Sequence, residues 1–176
     1  MNNHSRKIIS SKRISLIHCD EELLEAILKG DKYLSEYLNI QVPNPWNEFG
    51  RVVFKYVLKK VKNNPDECIW LTYLPIDRQK KVLIGSCGYK GKPDENGLIE
   101  LGYEVAKEYR NQGYATEITK LLVQNAFEDE QVSTIQAHTL AEKNASVRVL
   151  EKCNFKFAKE LMDSEDGLIW KWISEK

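Results

Sequence analysis

Apolar residues recur along the chain with two different periods, and the change of period divides the sequence into helices and strands. In residues 21–28, leucine and isoleucine return every three or four positions, which predicts a helix that Asp20 can cap. In residues 98–105, apolar residues alternate with polar or small ones, which predicts a half-buried strand. The full pattern predicts helices over residues 21–28, 31–38, 46–62, 113–127 and 144–152, and strands over residues 6–17, 68–74, 82–89, 98–105, 134–140, 155–161 and 168–173.

The predicted elements alternate throughout and indicate one α+β, or mixed α/β, domain over residues 1–176. We expect a central, mostly antiparallel twisted sheet of about six to seven strands flanked by helices. Polar turns at residues 77–80 and 92–97 separate three consecutive strands, which can therefore form an antiparallel meander. The sequence contains no internal repeat and no low-complexity linker that would favour a second domain.

Charge and cysteine content narrow the classes of function. The chain carries 26 Lys and Arg against 26 Asp and Glu, so no net charge favours nucleic acid or an anionic membrane as a partner. No stretch approaches the roughly 20 apolar residues that cross a bilayer, and residues 1–12 are too polar for a signal peptide. The four cysteines are widely spaced without a C-x-x-C pair, which argues against a metal site or a disulfide scaffold. We therefore expect a cytoplasmic protein.

One turn carries candidate chemistry. The strand at 98–105 is joined to the helix at 113–127 through Arg110, Asn111, Gln112, Gly113, Tyr114 and Ala115. The first amides of a helix lack internal partners and the helix dipole adds positive charge, so such a turn can bind phosphate oxygens. Gly113 lets the backbone approach an anion closely, and Arg110 and Gln112 can add side-chain donors. The turn is neither a P-loop nor a G-x-G-x-x-G fingerprint, and by itself an ordinary strand–helix turn explains it equally well.

Two neighbouring segments make the predicted function of this turn more specific. The strand before it reads LIELGYEV over residues 98–105, and a later helix and strand read NASVRVLEKCNF over residues 144–155. Together with the turn they resemble the GNAT superfamily of N-acetyltransferases, whose pyrophosphate signature is R/Q-x-x-G-x-G/A. The wording E-L-G-Y-E-V is similar to the branch that includes the ribosomal-protein N-terminal (alanine and serine) acetyltransferases. The resemblance extends from about residue 6 to residue 172 and is most specific over residues 98–155.

The sequence departs from this branch at three positions. Lys107 stands where the branch usually has proline, and Asn111 stands where it often has glycine. Asn154 replaces the usual glycine before Phe155. Asparagine tolerates a left-handed backbone better than other non-glycine residues, so we expect that conformation at Asn154 and regard the motif as weakened but intact.

The resemblance implies transfer of an acetyl group from acetyl-CoA, as co-substrate, to a primary amine by direct attack in a ternary complex. Residues 110–115 would hold the pyrophosphate. In this superfamily the strand before the turn bulges away from its neighbour, so the N–H of Val105 would face the thioester oxygen. Asn144 would contact the pantetheine or position the acceptor. A small-molecule amine and a protein N-terminus both fit as acceptor, and a monomer and a homodimer both fit as assembly.

The implied reaction also requires proton transfer. A lysine-type amine has a pKa of about 10.4 and arrives protonated, so a base is needed. Glu100 and Glu104 share one face of their strand, and either can act directly or through water. Glu100 is preferred because it matches the E-I/L-G-Y wording of the branch, with His138 and bulk water as alternatives. Ser146 matches a hydroxyl that this branch can place near the sulfur, where the leaving thiolate takes up a proton.

Each candidate also has a structural explanation. Glu100 and Glu104 can form the solvated face of a strand, Asn144 is a good helix N-cap, and Ser146 can be a surface residue of the first turn. The competing functions are a non-catalytic acyl-CoA-binding or regulatory module and a plain structural domain. The presence of both Glu100 and Ser146 favours the enzyme. The acceptor stays open, because the N-terminal helices and nearby loops that would select it carry the weakest resemblance.

Overall fold

A nine-stranded sheet forms the centre of residues 6–176, the part of the chain that the computed structural model describes. The strands are β1 (Ile8–Ser10), β2 (Ile14–His18), β3 (Thr72–Asp77), β4 (Val82–Leu83), β5 (Gly85–Tyr89), β6 (Leu98–Val105), β7 (Thr134–Leu140), β8 (Lys156–Asp163) and β9 (Gly167–Glu175). The helices are α1 (Glu21–Lys29), α2 (Asp31–Leu38), α3 (Val52–Asn63), α4 (Tyr114–Phe127) and α5 (Ala145–Lys152), with short 3-10 helices at Pro65–Trp70 and Lys107–Tyr109.

The strands lie in the order β1-β2-β3-β5-β6-β7-β9-β8, and β4 pairs with β3. Every pair is antiparallel except β6 and β7, which run parallel. This arrangement confirms the predicted fold class and the predicted meander, formed by β3, β5 and β6. The sheet has more strands than the predicted six to seven because two predicted strands are each divided.

The predicted strand over residues 6–17 is two strands joined by a tight turn. The hydroxyl of Ser11 accepts hydrogen bonds from the amides of Arg13 and Ile14, at 3.2 and 3.0 Å. This polar turn folds β1 back on β2, and a pattern of apolar residues does not record it. The predicted strand over residues 82–89 is divided into β4 and β5.

The predicted helix over residues 46–62 begins only at Val52. Trp46 lies in the preceding loop, where its indole N–H donates to the Asp31 carboxylate at 3.0 Å. The ring of Trp46 is buried with its centroid 5.3 Å from that of Phe54. This buried anchor holds the loop against α2 and α3, so the helix-like spacing of its aromatic residues has a tertiary origin.

The predicted strand over residues 68–74 begins only at Thr72. Pro65 opens a 3-10 helix, a position where its missing N–H costs no hydrogen bond. Trp70 ends that helix and packs edge-on against Tyr89, with ring centroids 5.4 Å apart. The apolar residues before Thr72 therefore reach the core from a helical turn.

Two apolar clusters are built on the sheet. One combines buried residues of α4 and α5 with β5, β6 and β7, and includes Ile118, Leu122, Leu150, Leu101 and Ile135. The other combines α1, α2 and α3 with β3, and includes Leu23, Leu34, Phe54, Leu74 and Ile76. The sheet is thus covered by helices, as the α+β class predicts. Within residues 6–176, the helices are all too short or too polar to cross a membrane.

Asn154 follows the last turn of α5 in a left-handed conformation, with φ of 64°. The amide of Asn154 donates to Glu151 at 3.1 Å, and the amide of Phe155 donates to Leu150 at 3.0 Å. These bonds satisfy carbonyls that the end of a helix leaves free. The left-handed backbone expected at Asn154 is confirmed.

Candidate functional site

Strands β6 and β7 separate in the middle of the sheet. They pair only where residues 98–100 meet residues 134–136. Past that point β6 stays paired with β5 up to Val105, and β7 stays paired with β9 up to Leu140. The gap opens into a cleft of about 1110 Å³. A split in the sheet turns strand backbone, which normally bonds to a neighbouring strand, toward a ligand.

The backbone of Val105 faces this gap. Along β6, the carbonyl of Glu100 and the amide of Ala106 bond to the β5 side, at 2.9 and 2.8 Å. Antiparallel pairing alternates, so the odd-numbered residues between them direct their N–H and C=O groups toward β7. The Val105 carbonyl accepts a hydrogen bond from Arg110 Nε at 2.9 Å. The sequence-predicted donor, the N–H of Val105, is therefore aimed at the cleft.

The start of α4 lines the same cleft. Gly113 is the N-cap with φ of 80°, and Asn111 is also left-handed with φ of 60°. The first helical hydrogen bond runs from the amide of Glu117 to Gly113. The amides of Tyr114, Ala115 and Thr116 therefore precede the bonded ladder, at the positive end of the helix dipole. This main-chain arrangement suits the oxygens of a phosphate.

Three side chains of the turn bond to the protein. Arg110 contacts the Val105 carbonyl and the Glu48 carboxylate. The amide group of Gln112 donates to the Glu108 carbonyl at 2.9 Å. Tyr114 is buried, and its hydroxyl donates to the Asp77 carboxylate at 2.7 Å. Arg110 and Tyr114 line the cleft, whereas Gln112, a predicted site residue, is not part of its lining.

Arg13 braces this turn, although it carries no sequence motif. Its guanidinium pairs with the Glu117 carboxylate, at 2.9 Å from Nε and 2.7 Å from Nη2. It also donates to the Gln112 carbonyl at 3.1 Å and lies 4.2 Å from the centroid of the Tyr114 ring. Arg13 and Glu117 are 104 residues apart, so no local pattern signals the contact. The ion pair is neutral overall, and its charge-assisted bonds hold the turn against the start of α4.

Glu100 lies where the two strands part. Its carboxylate accepts a hydrogen bond from Gln136 Nε2 at 2.8 Å, lies 3.1 Å from His138 Nδ1 and pairs with Lys90. Burial alone would raise the pKa of Glu100, but the bonds from Lys90, His138 and Gln136 lower it below its usual value. Glu100 is therefore held as an ionised carboxylate of low basicity.

Glu104 lies on the same face of β6 in a different environment. Its carboxylate accepts a hydrogen bond from the backbone amide of Glu48. Burial raises the pKa of Glu104, and the nearby Glu48 carboxylate adds to the rise, against the opposing effects of that amide bond and of Arg110. The two acidic residues of the strand thus have pKa values shifted in opposite directions. Glu104 is the more basic of the two.

Helix α5 places two predicted site residues at the cleft. The side chain of Asn144 caps the helix by accepting from the Val147 amide at 3.0 Å, which confirms its structural role. Ser146 is half-buried, and its backbone carbonyl accepts from the Tyr103 hydroxyl at 3.5 Å. Burial raises the pKa of Tyr103 to about 12, so this phenol stays protonated near neutrality. Asn144, Ser146 and Tyr103 all line the cleft.

The cleft therefore offers backbone amides, carboxylates and hydroxyls. Within residues 6–176, His, Cys, Asp and Glu side chains form no cluster of three that could hold a metal ion. All four cysteines fall inside this range and none is paired.

Comparison with known proteins identifies the family. The sequence profile described as "Acetyltransferase (GNAT) domain" matches residues 13–156. The chain belongs to the GNAT acetyltransferase family. The match contains all three segments on which the resemblance rests and extends into the N-terminal strands and helices of this GNAT domain.

This GNAT domain is also similar to a curated relative along most of its length. It is 30% identical over 152 residues to "Uncharacterized N-acetyltransferase YjdG" of Bacillus subtilis strain 168. The matched region is 84% of this chain and 89% of the relative. Both the family and the relative's name support an acetyltransferase.

Solved structures share the fold. The ribosomal-protein-S5-alanine acetyltransferase from Vibrio fischeri superposes with a TM-score of 0.71 at 13% identity, over 96% of each chain. The microcin C7 self immunity acetyltransferase MccE, in complex with acetyl-CoA and AMP, superposes with a TM-score of 0.67 at 12% identity, over 94% of each chain. These likenesses establish the fold.

Proposed function

We propose that this GNAT domain transfers an acetyl group from acetyl-CoA to a primary amine by direct attack in a ternary complex. The observation that carries the proposal is the gap between β6 and β7. Val105, residues at the start of α4, and both Glu100 and Glu104 line the cleft into which this gap opens, which supports the proposal. A binding site for the donor and a face for the acceptor thus meet at one backbone donor.

The donor half of the site uses main-chain groups. The amides at the start of α4 bind the pyrophosphate, with Gly113 and Asn111 shaping the turn and Arg110 and Gln112 at its edge. The N–H of Val105 binds the thioester oxygen as negative charge develops on it. Asn144 fixes the start of α5 beside the pantetheine. The match to MccE, solved with acetyl-CoA, supports this donor.

The acceptor half uses an acidic strand face. The new bond joins the amine nitrogen to the acetyl carbon and the carbon–sulfur bond breaks. A protonated amine must lose one proton before the attack, and the nitrogen loses a second as the amide forms. Of the two carboxylates, Glu104 has the raised pKa and is the better proton acceptor, directly or through water. Glu100, the base preferred from the sequence, is the second candidate, because its three partners lower its pKa. His138, on β7, also lines the cleft and is the third candidate base.

Ser146 supplies the remaining proton transfer. A CoA thiol resembles cysteine, whose pKa is about 8.5, so the leaving thiolate benefits from a proton at neutral pH. Ser146, on α5, lines the same cleft as Glu100 and Glu104. We propose that its hydroxyl donates a hydrogen bond or a proton to the sulfur. The four unpaired cysteines fit the reducing, cytoplasmic setting that we propose for the enzyme.

Titration calorimetry with acetyl-CoA tests the donor site. We expect the wild type to bind and Gly113→Trp to lose binding, because the indole would occupy the phosphate position. Gly167→Trp is the matched control, since Gly167 has a similar φ of 72°, contacts open space and lies outside the lining of the cleft. Equal affinity of a folded Gly113→Trp variant and the control would contradict the proposed site. Wild-type binding without turnover of any amine would instead support a non-catalytic acyl-CoA-binding module.

A further inference from the structure

Neither the backbone conformation nor the immediate surroundings of Gly102, in the middle of β6, require a glycine. Its φ lies outside the left-handed region, and a Cβ built on it would meet nothing within 4 Å. Its partner in the sheet, Gly88, differs in both respects, with φ of 148° and a Cβ position 1.9 Å from the Leu71 carbonyl oxygen. A glycine inside a strand loses packing and backbone order, and it often marks a place where a ligand approaches closely. The open space above Gly102 is therefore a candidate ligand site.

A cavity of about 410 Å³ occupies this space. Gly102 and Gly88 contribute to its lining, and it meets the donor cleft at residues that line both spaces. These shared residues include Glu100, Tyr103, Glu104, His138 and Ser146. The cavity thus reaches the gap between β6 and β7 at the level of the proposed acyl transfer.

The charges around the cavity favour an acceptor with a single ammonium group. Lys90 and His138 already contact Glu100. Glu104 forms no ion pair among residues 6–176, so its carboxylate is available to an incoming cation. Glu100 and Glu104 are the two carboxylates that line the cavity. With Glu100 already paired, one carboxylate is left for one ammonium group.

The wall of the cavity is apolar and continues to the surface. Phe49 and Val53 line it, although 73% of Phe49 and 44% of Val53 is exposed. Exposed large apolar side chains that lie together mark binding sites. Deeper in the cavity, Leu71 and Tyr89 extend the apolar lining.

We propose that the cavity over Gly102 is the acceptor site and that it takes a monoamine whose amino group is carried on an aromatic or branched aliphatic group. This inference rests on the proposed acetyl transfer. Glu104 pairs with the ammonium, Gly102 leaves room for the carbon that carries it, and Phe49 and Val53 pack against the apolar group. Before the attack, one proton passes from the ammonium to Glu104, directly or through water, which frees the nitrogen lone pair. As the nitrogen–acetyl bond forms and the carbon–sulfur bond breaks, a second proton leaves the nitrogen and the leaving thiolate takes up one proton.

A panel of amines tests the proposal, with thiol release from acetyl-CoA as the readout. We expect kcat/KM for 2-phenylethylamine and isoamylamine to exceed that for putrescine and glycinamide by about tenfold or more, the discrimination that burial of a few methylenes gives. Phe49→Ala should remove most of this preference through KM. Val52→Ala is the matched control, because Val52 is also 73% exposed but lines neither cavity.

Gly102→Val provides a second test. The added side chain should abolish turnover of the apolar amines and leave the Kd for acetyl-CoA unchanged, since the donor lies at α4. Gly102→Ala, which fills less space, should reduce turnover less and keeps the test valid if the valine variant does not fold.

Two different failures are distinguishable. If none of the amines causes thiol release, or if acetyl-CoA does not bind, the proposed function itself is contradicted. Release that is fastest with putrescine or glycinamide would overturn the acceptor class alone. Equal kinetics of Phe49→Ala and Val52→Ala, or full activity of both Gly102 variants, would do the same.

Discussion

The imidazole Nδ1 of His138 lies 3.1 Å from Oε1 of Glu100, at the point where β6 and β7 part. The strands are paired up to Glu100 and Gln136, and His138 is two residues further along β7. The contact therefore ties the two strands together at the closed end of the gap. It also occupies Glu100, which leaves Glu104 as the less constrained carboxylate on the acceptor face.

Replacement of the two carboxylates separates their roles. We expect Glu104→Gln to lower kcat by about 100-fold or more, the usual size of general-base catalysis, with little change in the Kd for acetyl-CoA. Glu100→Gln is the matched variant on the same strand and should have the smaller effect on kcat. Steady-state kinetics with one amine checks both. A larger loss of kcat in Glu100→Gln would identify Glu100 as the base. If both variants keep the wild-type kcat, His138 or water removes the proton.

The same pair predicts a pH profile for activity. Burial raises the pKa of Glu104, so its basic form is lost as pH falls through that raised value. The pKa that governs the loss of kcat at low pH should therefore be higher than that of an ordinary glutamate. This loss of kcat should disappear in Glu104→Gln. A limb that persists unchanged in this variant would belong to another group.

Stability should depend on pH in opposite ways at the two positions. The pKa of Glu100 is lowered in the folded state, so its ionised form stabilises the fold above the unfolded pKa of about 4.3, and this is lost as pH falls through the folded pKa. Urea unfolding should show that Glu100→Gln costs more stability at pH 6 than at pH 3. Glu104→Gln serves as the contrast, because the raised pKa of Glu104 means that its ionised carboxylate destabilises the folded state at neutral pH. Parallel pH dependences for the two variants would contradict this assignment.

We expect replacement of Arg13 to weaken the binding of acetyl-CoA without slowing the acetyl transfer. Its bonds to Glu117 and Gln112 hold the start of α4, so we expect Arg13→Ala to weaken acetyl-CoA binding by about tenfold, the effect of one lost charge-assisted contact, with kcat nearly unchanged. Lys12→Ala is the control, since Lys12 is the adjacent exposed cation. Calorimetry and kinetics measure the two effects. An equal weakening in both variants would indicate general electrostatics instead of a brace.

The end of α5 gives a prediction for the fold alone. Asn154 has φ of 64° and is exposed, so its backbone conformation is the main constraint on residue type. Asn154→Gly should raise the free energy of unfolding and Asn154→Ala should lower it, each by about 0.5–1 kcal/mol. Thermal or urea unfolding checks the order glycine, asparagine, alanine. A variant order with alanine as the most stable would contradict the left-handed cap.

Local features of the site could be predicted from the sequence. Gly113 at the start of α4, the cap at Asn144 and the left-handed Asn154 each follow from a residue and its close neighbours. The contact between Arg13 and Glu117 could not, because it joins residues 104 positions apart in sequence. The same holds for the Glu48 amide that bonds to Glu104, 56 positions away.

The wrong element boundaries have a common physical cause. The turn at Ser11 is made by a side-chain hydroxyl, and the loop at Trp46 is held by a bond to Asp31 and by burial against Phe54. Apolar periodicity records neither kind of contact. It predicted the long elements β6 and α4 well, because there the spacing of apolar residues follows the face buried by the sheet.

Amine-dependent release of CoA thiol from acetyl-CoA, with mass spectrometry of the amine, is the direct test of the proposed acetyl transfer. We expect one thiol to be released for each amine that gains one acetyl group, and both signals to be lost in Gly113→Trp but not in Gly167→Trp. Tight binding of acetyl-CoA with no acetylated amine from the panel, or acetylation that survives in Gly113→Trp, would contradict it.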